Sequence, residues 1–222
     1  MKLENAVVLG TYDALLFDMD GTILTSIAAV ERAWTSWAAR VGLPASEILS
    51  FIHGRTALDT IRHFMPPSAD IEAEVRWLDA LELTDLDGVA EVPGAGAFLR
   101  ALPPNRWAVV TSANRALAMK RIKAAGLPTP PILVSSDQVS KGKPDPEGYH
   151  RAAEILNVCA RNCVVFEDTH AGMLAGMAAG AEIVQIAGTQ SVGKLPVKMT
   201  VIGYNGLSVS VVANSMKLLI SP

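Results

Sequence analysis

Residues 15–22 read Leu-Leu-Phe-Asp-Met-Asp-Gly-Thr, an apolar run that ends in two aspartates one residue apart. A short apolar run of this kind is typical of a buried strand, and in open α/β sheets ligands bind beyond the carboxyl ends of the strands. Because residues i and i+2 of a strand share a face, we expect Asp18 and Asp20 to point into one crevice. Adjacent carboxylates repel each other, so the pair indicates a hard divalent cation with oxygen ligands, above all Mg²⁺.

The segment has two alternative interpretations. An acidic turn is one, since Asp-Gly dipeptides often close hairpins. A calcium loop is another, but it would need a Glu ligand five residues after Gly21, where the chain has Ser26 and Ile27. The turn therefore stays as the alternative to a strand that ends at a metal site.

Length and composition indicate a globular protein with a substantial apolar core. It has 222 residues, 50% of them hydrophobic and 18% charged, enough for one domain with a small insert. The net charge of −3 gives no basic footprint for nucleic acid or an anionic membrane. No apolar stretch reaches the roughly 18 residues that span a bilayer, and residues 1–10 lack a secretory signal pattern. We expect a cytoplasmic monomer or small homo-oligomer, without nucleic-acid or membrane partners, in which Cys159 and Cys163 are buried thiols.

Helical and strand-like segments alternate along most of the chain, which predicts an α/β fold. The expected core is a Rossmann-like, doubly wound parallel sheet with helices on both sides. After the first strand, further strands are predicted at 107–110, 132–134, 164–166 and 183–186. Helices are predicted between them at 114–125, 146–157 and 170–179. The segment 201–213 has the pattern of one or two edge strands.

An all-helical stretch interrupts this alternation directly after the two aspartates. Its first helix is predicted to begin after Ser26 and to end at Gly42, and further helices are predicted at 45–52, 56–65 and 70–82. Such an insert would lie above the carboxyl edge of the sheet, where a lid can exclude water. The alternative is that these helices enlarge the core.

Four segments, in order, resemble the motifs of the haloacid dehalogenase-like hydrolases. They are Asp18-Met19-Asp20-Gly21-Thr22, Val109-Val110-Thr111-Ser112, Lys143-Pro144-Asp145-Pro146 and Val164-Val165-Phe166-Glu167-Asp168. The family consists mostly of Mg²⁺-dependent phosphatases that work through an aspartyl-phosphate. The chain is most similar to its sugar phosphatases, glycerol-phosphate phosphatases and 2-deoxyglucose-6-phosphate phosphatases. The resemblance implies a catalytic core of residues 1–24 and 91–222 and a helical cap domain at 25–90, with Gly88 and Gly94 near the return hinge.

The resemblance also implies roles for the acidic residues. Asp18 would attack phosphorus, and Asp20 would protonate the leaving alcohol and then take a proton from water. The Mg²⁺ ligands would be Asp18, the main-chain carbonyl of Asp20, and Asp168, with Glu167 helping through water.

Five further residues are candidates for binding phosphate or substrate. Ser112 and the amides around Ala113 would bind phosphate oxygens at a helix N-terminus, with Thr111 as the alternative hydroxyl. Lys143 would supply a fixed positive charge, and its context favours it over Lys141. Arg55, in a segment similar to the substrate loop of relatives, would contact a phosphate or a sugar hydroxyl, unless it is a surface arginine.

The sequence therefore predicts a phosphatase for small phosphorylated sugars or polyols. A phosphosugar mutase of the β-phosphoglucomutase type shares all four motifs and is the alternative. A haloacid dehalogenase would lack the acid at Asp20. A phosphonate hydrolase would need a cap lysine, and residues 25–90 contain none. A scaffold without activity would be expected to lose a motif residue, and all are present.

Overall fold

The computed structural model describes residues 7–187, 195–212 and 215–220. Within them the strands are β1 Val7–Tyr12, β2 Ala14–Phe17, β3 Leu24–Thr25, β4 Ala90–Glu91, β5 Trp107–Val110, β6 Leu133–Val134, β7 Cys163–Glu167, β8 Glu182–Ile186, β9 Met199–Val201, β10 Leu207–Val212 and β11 Ser215–Ile220. The α-helices are α1 Ile27–Val41, α2 Ala45–Phe51, α3 Ala57–Phe64, α4 Ile71–Glu82, α5 Ala95–Arg100, α6 Arg115–Ala124, α7 Glu147–Ile155 and α8 His170–Ala178.

The central sheet has six parallel strands in the order β6-β5-β2-β7-β8-β9. The chain leaves β2 toward β5 and β6, then returns to the other side of β2 for β7, β8 and β9. This reversal confirms the predicted doubly wound fold. It also places the carboxyl ends of β5, β2 and β7 side by side at the switch point, where α/β proteins bind ligands.

The sheet is buried on both faces, as its apolar strands require. Along β2, Leu15 and Phe17 face one apolar cluster while Ala14 and Leu16 face the other. Helices α5 and α6 cover the first face, and α7 and α8 cover the second. Period-two alternation in β2 therefore serves two cores at once.

The helical insert, which we define as α1 to α4, packs around an apolar cluster of its own. Helix α1 ends at Gly42, whose φ of 73° is the left-handed conformation that closes many helices. Trp34 and Trp37 meet edge to face inside this cluster. The four helices were predicted, but the short antiparallel pair of β3 and β4 that joins the insert to the core was not.

The structure differs from the prediction in two places, the C-terminal segment and the cysteines. The segment 201–213, predicted to hold one or two edge strands, contains β10, which lies at the edge of a separate antiparallel sheet with the order β1-β11-β10. It also contains the last residue of β9, the edge strand of the main sheet, and Ala213 lies outside the described residues. Cys163 is buried in β7, whereas Cys159 is exposed because it precedes the strand in a surface turn.

Among the described residues no helix has the length and apolarity needed to cross a membrane.

Tyr204 joins the C-terminal segment to the core. Its ring packs against those of Phe98, Phe166 and Phe17, with centroid distances of 5.3, 5.8 and 6.2 Å. The Tyr204 hydroxyl is buried and has no hydrogen-bond partner within the described part of the chain. The ring, and not the hydroxyl, therefore supplies the stabilising contact.

Replacing Tyr204 with Ala should lower the free energy of unfolding by about 3–5 kcal/mol, because it opens a cavity in the aromatic cluster. Tyr204→Phe should be neutral or stabilising, since it removes an unpaired buried hydroxyl. Ile202→Ala is the control in the same segment, because Ile202 is 87% exposed, and should change stability by less than about 0.5 kcal/mol. Urea unfolding followed by circular dichroism measures all three, and equal losses for Tyr204→Phe and Tyr204→Ala would contradict this account.

Candidate active site

The predicted site residues converge at the carboxyl edge of the sheet. Asp18 follows β2, Thr111 follows β5 and Asp168 follows β7. The Asp18 backbone N–H donates to the Phe166 carbonyl oxygen over 2.9 Å, which ties the first of these strand ends to the third. A cavity of about 540 Å³ opens between this edge and the helical insert, and both aspartates of the first motif line it.

Three buried carboxylates lie together at this edge of the sheet, and two of them, Asp18 and Asp168, line the cavity. Oxygen atoms of Asp18, Glu167 and Asp168 all lie within 4.8 Å of one another. Thr22 donates a hydrogen bond of 3.1 Å to Asp168. The backbone at Gly21 has a φ of 89°, and a Cβ there would overlap the Asp168 carboxylate. Only glycine therefore permits this close approach without strain.

Lys143 lies inside this acidic cluster. Its ammonium contacts the Asp18 carboxylate, donates to Glu167 Oε1 over 2.7 Å and to the Val110 carbonyl over 3.2 Å, and is 7% exposed. Burial lowers the pKa of Lys143, but the charges of Asp18 and Glu167 outweigh it and hold the pKa well above its usual value. Lys141, by contrast, has an exposed side chain paired with Asp145.

The surroundings of the Asp18 carboxyl disfavour its ionised form. Burial, and next the charge of Glu167, raise its pKa well above the usual range, while Lys143 opposes the rise. Three carboxylates and one ammonium leave two formal negative charges in a buried cluster, which is costly in protein interiors. The oxygen donor set fits a divalent ion such as Mg²⁺, which would neutralise these charges and favour ionised Asp18.

Glu167 is fully engaged by the protein. Its Oε1 accepts from Lys143 and from the Tyr149 hydroxyl, at 2.7 and 3.1 Å. Its Oε2 accepts from the backbone N–H groups of Asp168 and Thr169 and from the Thr169 hydroxyl, at 2.9 to 3.0 Å. Glu167 is therefore suited to orient Lys143 and the strand end rather than to offer a free ligand oxygen.

Asp20 has different partners, and one of them, Arg121, was not predicted from the sequence. Its Oδ1 accepts from the Ser26 hydroxyl at 2.5 Å and from Arg121 Nη1 at 3.2 Å. Arg121, on α6, also bonds Glu82 of the helical insert over 2.9 Å. Burial raises the pKa of Glu82, and Arg121 opposes this. Arg121 belongs to a helix rich in basic residues, so no local pattern marked it as buried.

The loop after β5 supplies hydrogen-bond donors at the start of α6. Asn114 caps this helix by accepting from the Leu117 N–H. Thr111 Oγ1 accepts from the Ala113 N–H at 3.1 Å and so turns back on its own loop, whereas the Ser112 hydroxyl reaches the Gly54 carbonyl of the insert at 3.0 Å. All three loop residues, 111–113, line the cavity.

The insert forms the opposite wall of the cavity. His53, Arg55 and Trp34 line it, and the Arg55 guanidinium lies over the Phe51 ring at 4.2 Å. Burial lowers the pKa of His53. The structure thus brings Arg55 to the cavity that Asp18, Asp20 and Asp168 line, where its side chain is exposed.

A family model for haloacid dehalogenase-like hydrolases matches residues 12–180. The chain belongs to this hydrolase family. It is 45% identical over 175 residues to hexitol phosphatase A of Escherichia coli (strain K12), covering 77% of this chain and 81% of that one. It is 34% identical over 197 residues to 2-deoxyglucose-6-phosphate phosphatase 1 of Saccharomyces cerevisiae, covering 78% and 79%.

A solved structure of the same fold is that of CbbY from Rhodobacter sphaeroides in complex with phosphate. The TM-score is 0.74 at 22% identity, and the match covers 87% of this chain and 95% of that one. The named phosphatases among the relatives confirm the predicted membership of the family's sugar phosphatase group and the prediction of a phosphoric monoester hydrolase.

Replacing Gly21 with Ala should lower phosphatase activity by about 100-fold, because the added Cβ would displace the Asp168 carboxylate. Gly42→Ala is the matched control. Gly42 has a φ of 73°, but a Cβ there meets nothing within 4 Å, so it carries only the backbone cost of about 1–2 kcal/mol. Activity on p-nitrophenyl phosphate and the thermal midpoint measure both variants. Equal activity losses would show that backbone strain, and not the approach to Asp168, accounts for the effect.

Proposed function

We propose that this family member is a Mg²⁺-dependent phosphatase that hydrolyses small phosphorylated sugars or polyols through an aspartyl-phosphate on Asp18. The observation that carries the proposal is the cluster of Asp18, Asp168 and Lys143, in which Asp18 and Asp168 line a cavity that Asp20 also lines. A nucleophile, a buried cation and a second carboxylate at one opening are the groups that this reaction needs.

The chain's own residues account for each step. Asp18 attacks phosphorus, while Lys143 and the amides at the start of α6 compensate the charge of the phosphoryl oxygens. Asp20 donates a proton to the leaving alkoxide oxygen and then removes one from the water that hydrolyses the acyl phosphate. Hydrolysis returns Asp18 to its carboxylate form.

The residues proposed to hold Mg²⁺ are Asp18, Asp168 and the main-chain carbonyl of Asp20. Glu167 is proposed to act indirectly, through water and through its hold on Lys143, since its oxygens already accept five hydrogen bonds. When bound, the ion supplies positive charge to the phosphoryl oxygens.

Ser112 is proposed as the hydroxyl that binds phosphate, together with the backbone around Ala113. Ser112 lines the cavity and its hydroxyl donates to the Gly54 carbonyl of the insert, whereas the Thr111 oxygen accepts a bond from within its own loop. Thr111 would then shape the loop rather than contact the substrate.

We propose that residues 25–90 act as a cap and that the substrate is small. The cavity of about 540 Å³ is closed on one side by the insert and lies within the range of small-molecule sites. Arg55 is proposed to contact the leaving group from the cap side. Two relatives are named for hexitol and 2-deoxyglucose-6-phosphate, which supports a sugar or polyol phosphate substrate.

The mutase alternative shares the four motifs, but the relatives named above are phosphatases, so we favour hydrolysis. A cytoplasmic location is proposed as well, because Cys159 and Cys163 are both free thiols and such thiols persist in reducing compartments.

Phosphate release from a panel of phosphorylated sugars and polyols tests the proposed function. We expect turnover with Mg²⁺, loss with excess chelator, and poor support by Ca²⁺, which prefers longer bonds and more ligands. Compounds of roughly three to six carbons should be preferred over phosphoproteins, because the cap must close over the leaving group. Undiminished release in chelator would refute the metal, and transfer of phosphate within a sugar without release would identify a mutase.

The two aspartates are separated by leaving-group chemistry. Asp18→Asn should abolish turnover, whereas Asp20→Asn should retain slow reaction with p-nitrophenyl phosphate, whose leaving group needs little proton donation, and should lose a much larger share of its rate with an alkyl phosphate. Asp13→Asn, at a surface turn before β2, is the control and should keep full activity. Equal losses on both substrates in Asp20→Asn, or trapped phosphate on another residue, would overturn the assignment.

A further inference from the structure

Arg121 links the general acid to the helical insert. Its Nη1 lies 3.2 Å from Asp20 Oδ1 and its Nη2 lies 2.9 Å from Glu82 Oε1. Arg121 is on α6 of the core, whereas Glu82 is the last residue of α4 in the insert. One guanidinium therefore joins a carboxylate of the sheet edge to a carboxylate of the insert, with one fork of its planar head on each.

Arg121 and Glu82 are buried, and Asp20 is partly buried. The side chains of Arg121 and Glu82 are 3% and 8% exposed, and that of Asp20 is 27% exposed. The Arg121 Nε is buried and has no hydrogen-bond partner among the described residues. The charge is thus compensated by these two carboxylates, and loss of either leaves a buried charge poorly paired.

Asp20 is oriented through a single oxygen. Both the Ser26 hydroxyl and Arg121 donate to Oδ1, and no described residue donates a hydrogen bond to Oδ2. Two donors on one oxygen restrict rotation of the carboxyl and leave the other oxygen for the proton that is transferred. Asp20 lines the cavity, so its Oδ2 is available to a leaving group bound there.

Both donors depend on the insert. Ser26 is the residue that precedes α1, at the point where the chain enters the insert, and Glu82 holds Arg121 near the point where the chain leaves it. Lys120, the neighbour of Arg121, also donates to the Leu83 carbonyl at the end of α4 over 3.1 Å. The contact between α6 and the end of α4 therefore accompanies the orientation of Asp20.

We propose that Arg121 is a positioning residue that sets the Asp20 carboxylate for proton transfer, and that its bond to Glu82 makes this setting depend on docking of the insert. The inference rests on the proposed phosphatase function and extends it. Proton donation to an alcohol leaving group would then be strongest when α4 is seated on α6, which is also when the insert covers the substrate.

Arg121→Lys tests the proposal, because it keeps a positive charge but cannot fork onto two carboxylates. We expect kcat on a hexitol phosphate to fall by about 10–100-fold while kcat on p-nitrophenyl phosphate falls by less than about threefold, with KM little changed on either. Glu82→Gln should change the ratio of the two rates in the same direction by a smaller factor. Equal losses on both substrates, or an effect confined to KM, would overturn the positioning role.

A double-mutant cycle supplies the readout that a merely structural role would not give. In an Asp20→Asn background, Arg121→Lys should cause no further loss on the hexitol phosphate, because the group that it positions no longer transfers a proton. Additive losses would overturn the proposal. If Arg121→Lys has a lowered thermal midpoint, Ser26→Ala, which removes the other donor on Oδ1, provides the same test of the rate ratio.

Lys120→Gln is the matched control, because Lys120 bonds the same end of α4 but does not contact Asp20. It should leave the rate ratio unchanged, and a change equal to that of Arg121→Lys would assign the effect to helix contact alone. Wild-type protein that releases phosphate from neither substrate would refute the proposed function. An active wild type with an unchanged ratio in Arg121→Lys would refute this inference alone.

Discussion

The buried ammonium of Lys143 is the contact on which the site depends. Asp18, Glu167 and Asp168 lie together in the protein interior, where unpaired like charges are strongly disfavoured. Lys143 offsets part of this charge by contacting two of them, and Glu167 keeps Lys143 in place with oxygens that are otherwise filled by Tyr149 and by backbone donors. The remaining negative charge suits the cluster to the divalent cation that we propose it holds. Clustered buried carboxylates destabilise the fold, but their negative charge suits the proposed cation. Lys143 compensates enough of that charge to limit the cost and leaves enough of it to attract the cation.

The two aspartates of the first motif are two residues apart but are held by different parts of the molecule. Asp18 is fixed by the sheet, through its backbone bond to Phe166 and its contact with Lys143. Asp20 is held by Ser26, at the entrance to the insert, and by Arg121, which the insert also contacts. The proposed nucleophile is thus fixed by the core, whereas the donors of the proposed acid lie at the boundary with the insert. This arrangement suits a reaction in which substrate must enter before the cavity closes.

Local sequence predicted the features that local physics determines. Strand ends at Asp18, Thr111 and Asp168 followed from apolar runs that stop at polar residues, and the four helices of the insert followed from their period and caps. Arg121 could not be predicted, because its burial arises from Glu82 and Asp20, which lie 39 and 101 residues away along the chain. The sheet of β1, β10 and β11 was missed for the same reason, since it pairs the first described strand with the last. Long-range pairing leaves no periodic signal in either segment.

The aromatic cluster beneath the site shows how the core determines the spacing of the buried carboxylates. Phe17 immediately precedes Asp18, Phe166 immediately precedes Glu167, and these two rings stack with centroids 4.7 Å apart in directly paired positions of β2 and β7. Each ring lies on its strand directly before an acidic residue. Stacking of the two rings therefore limits sliding of β2 against β7 and so fixes the relative position of the acidic residues. Tyr204 covers both rings from the C-terminal segment. The separation of the buried carboxylates is therefore maintained by apolar packing directly below them as well as by Lys143 between them.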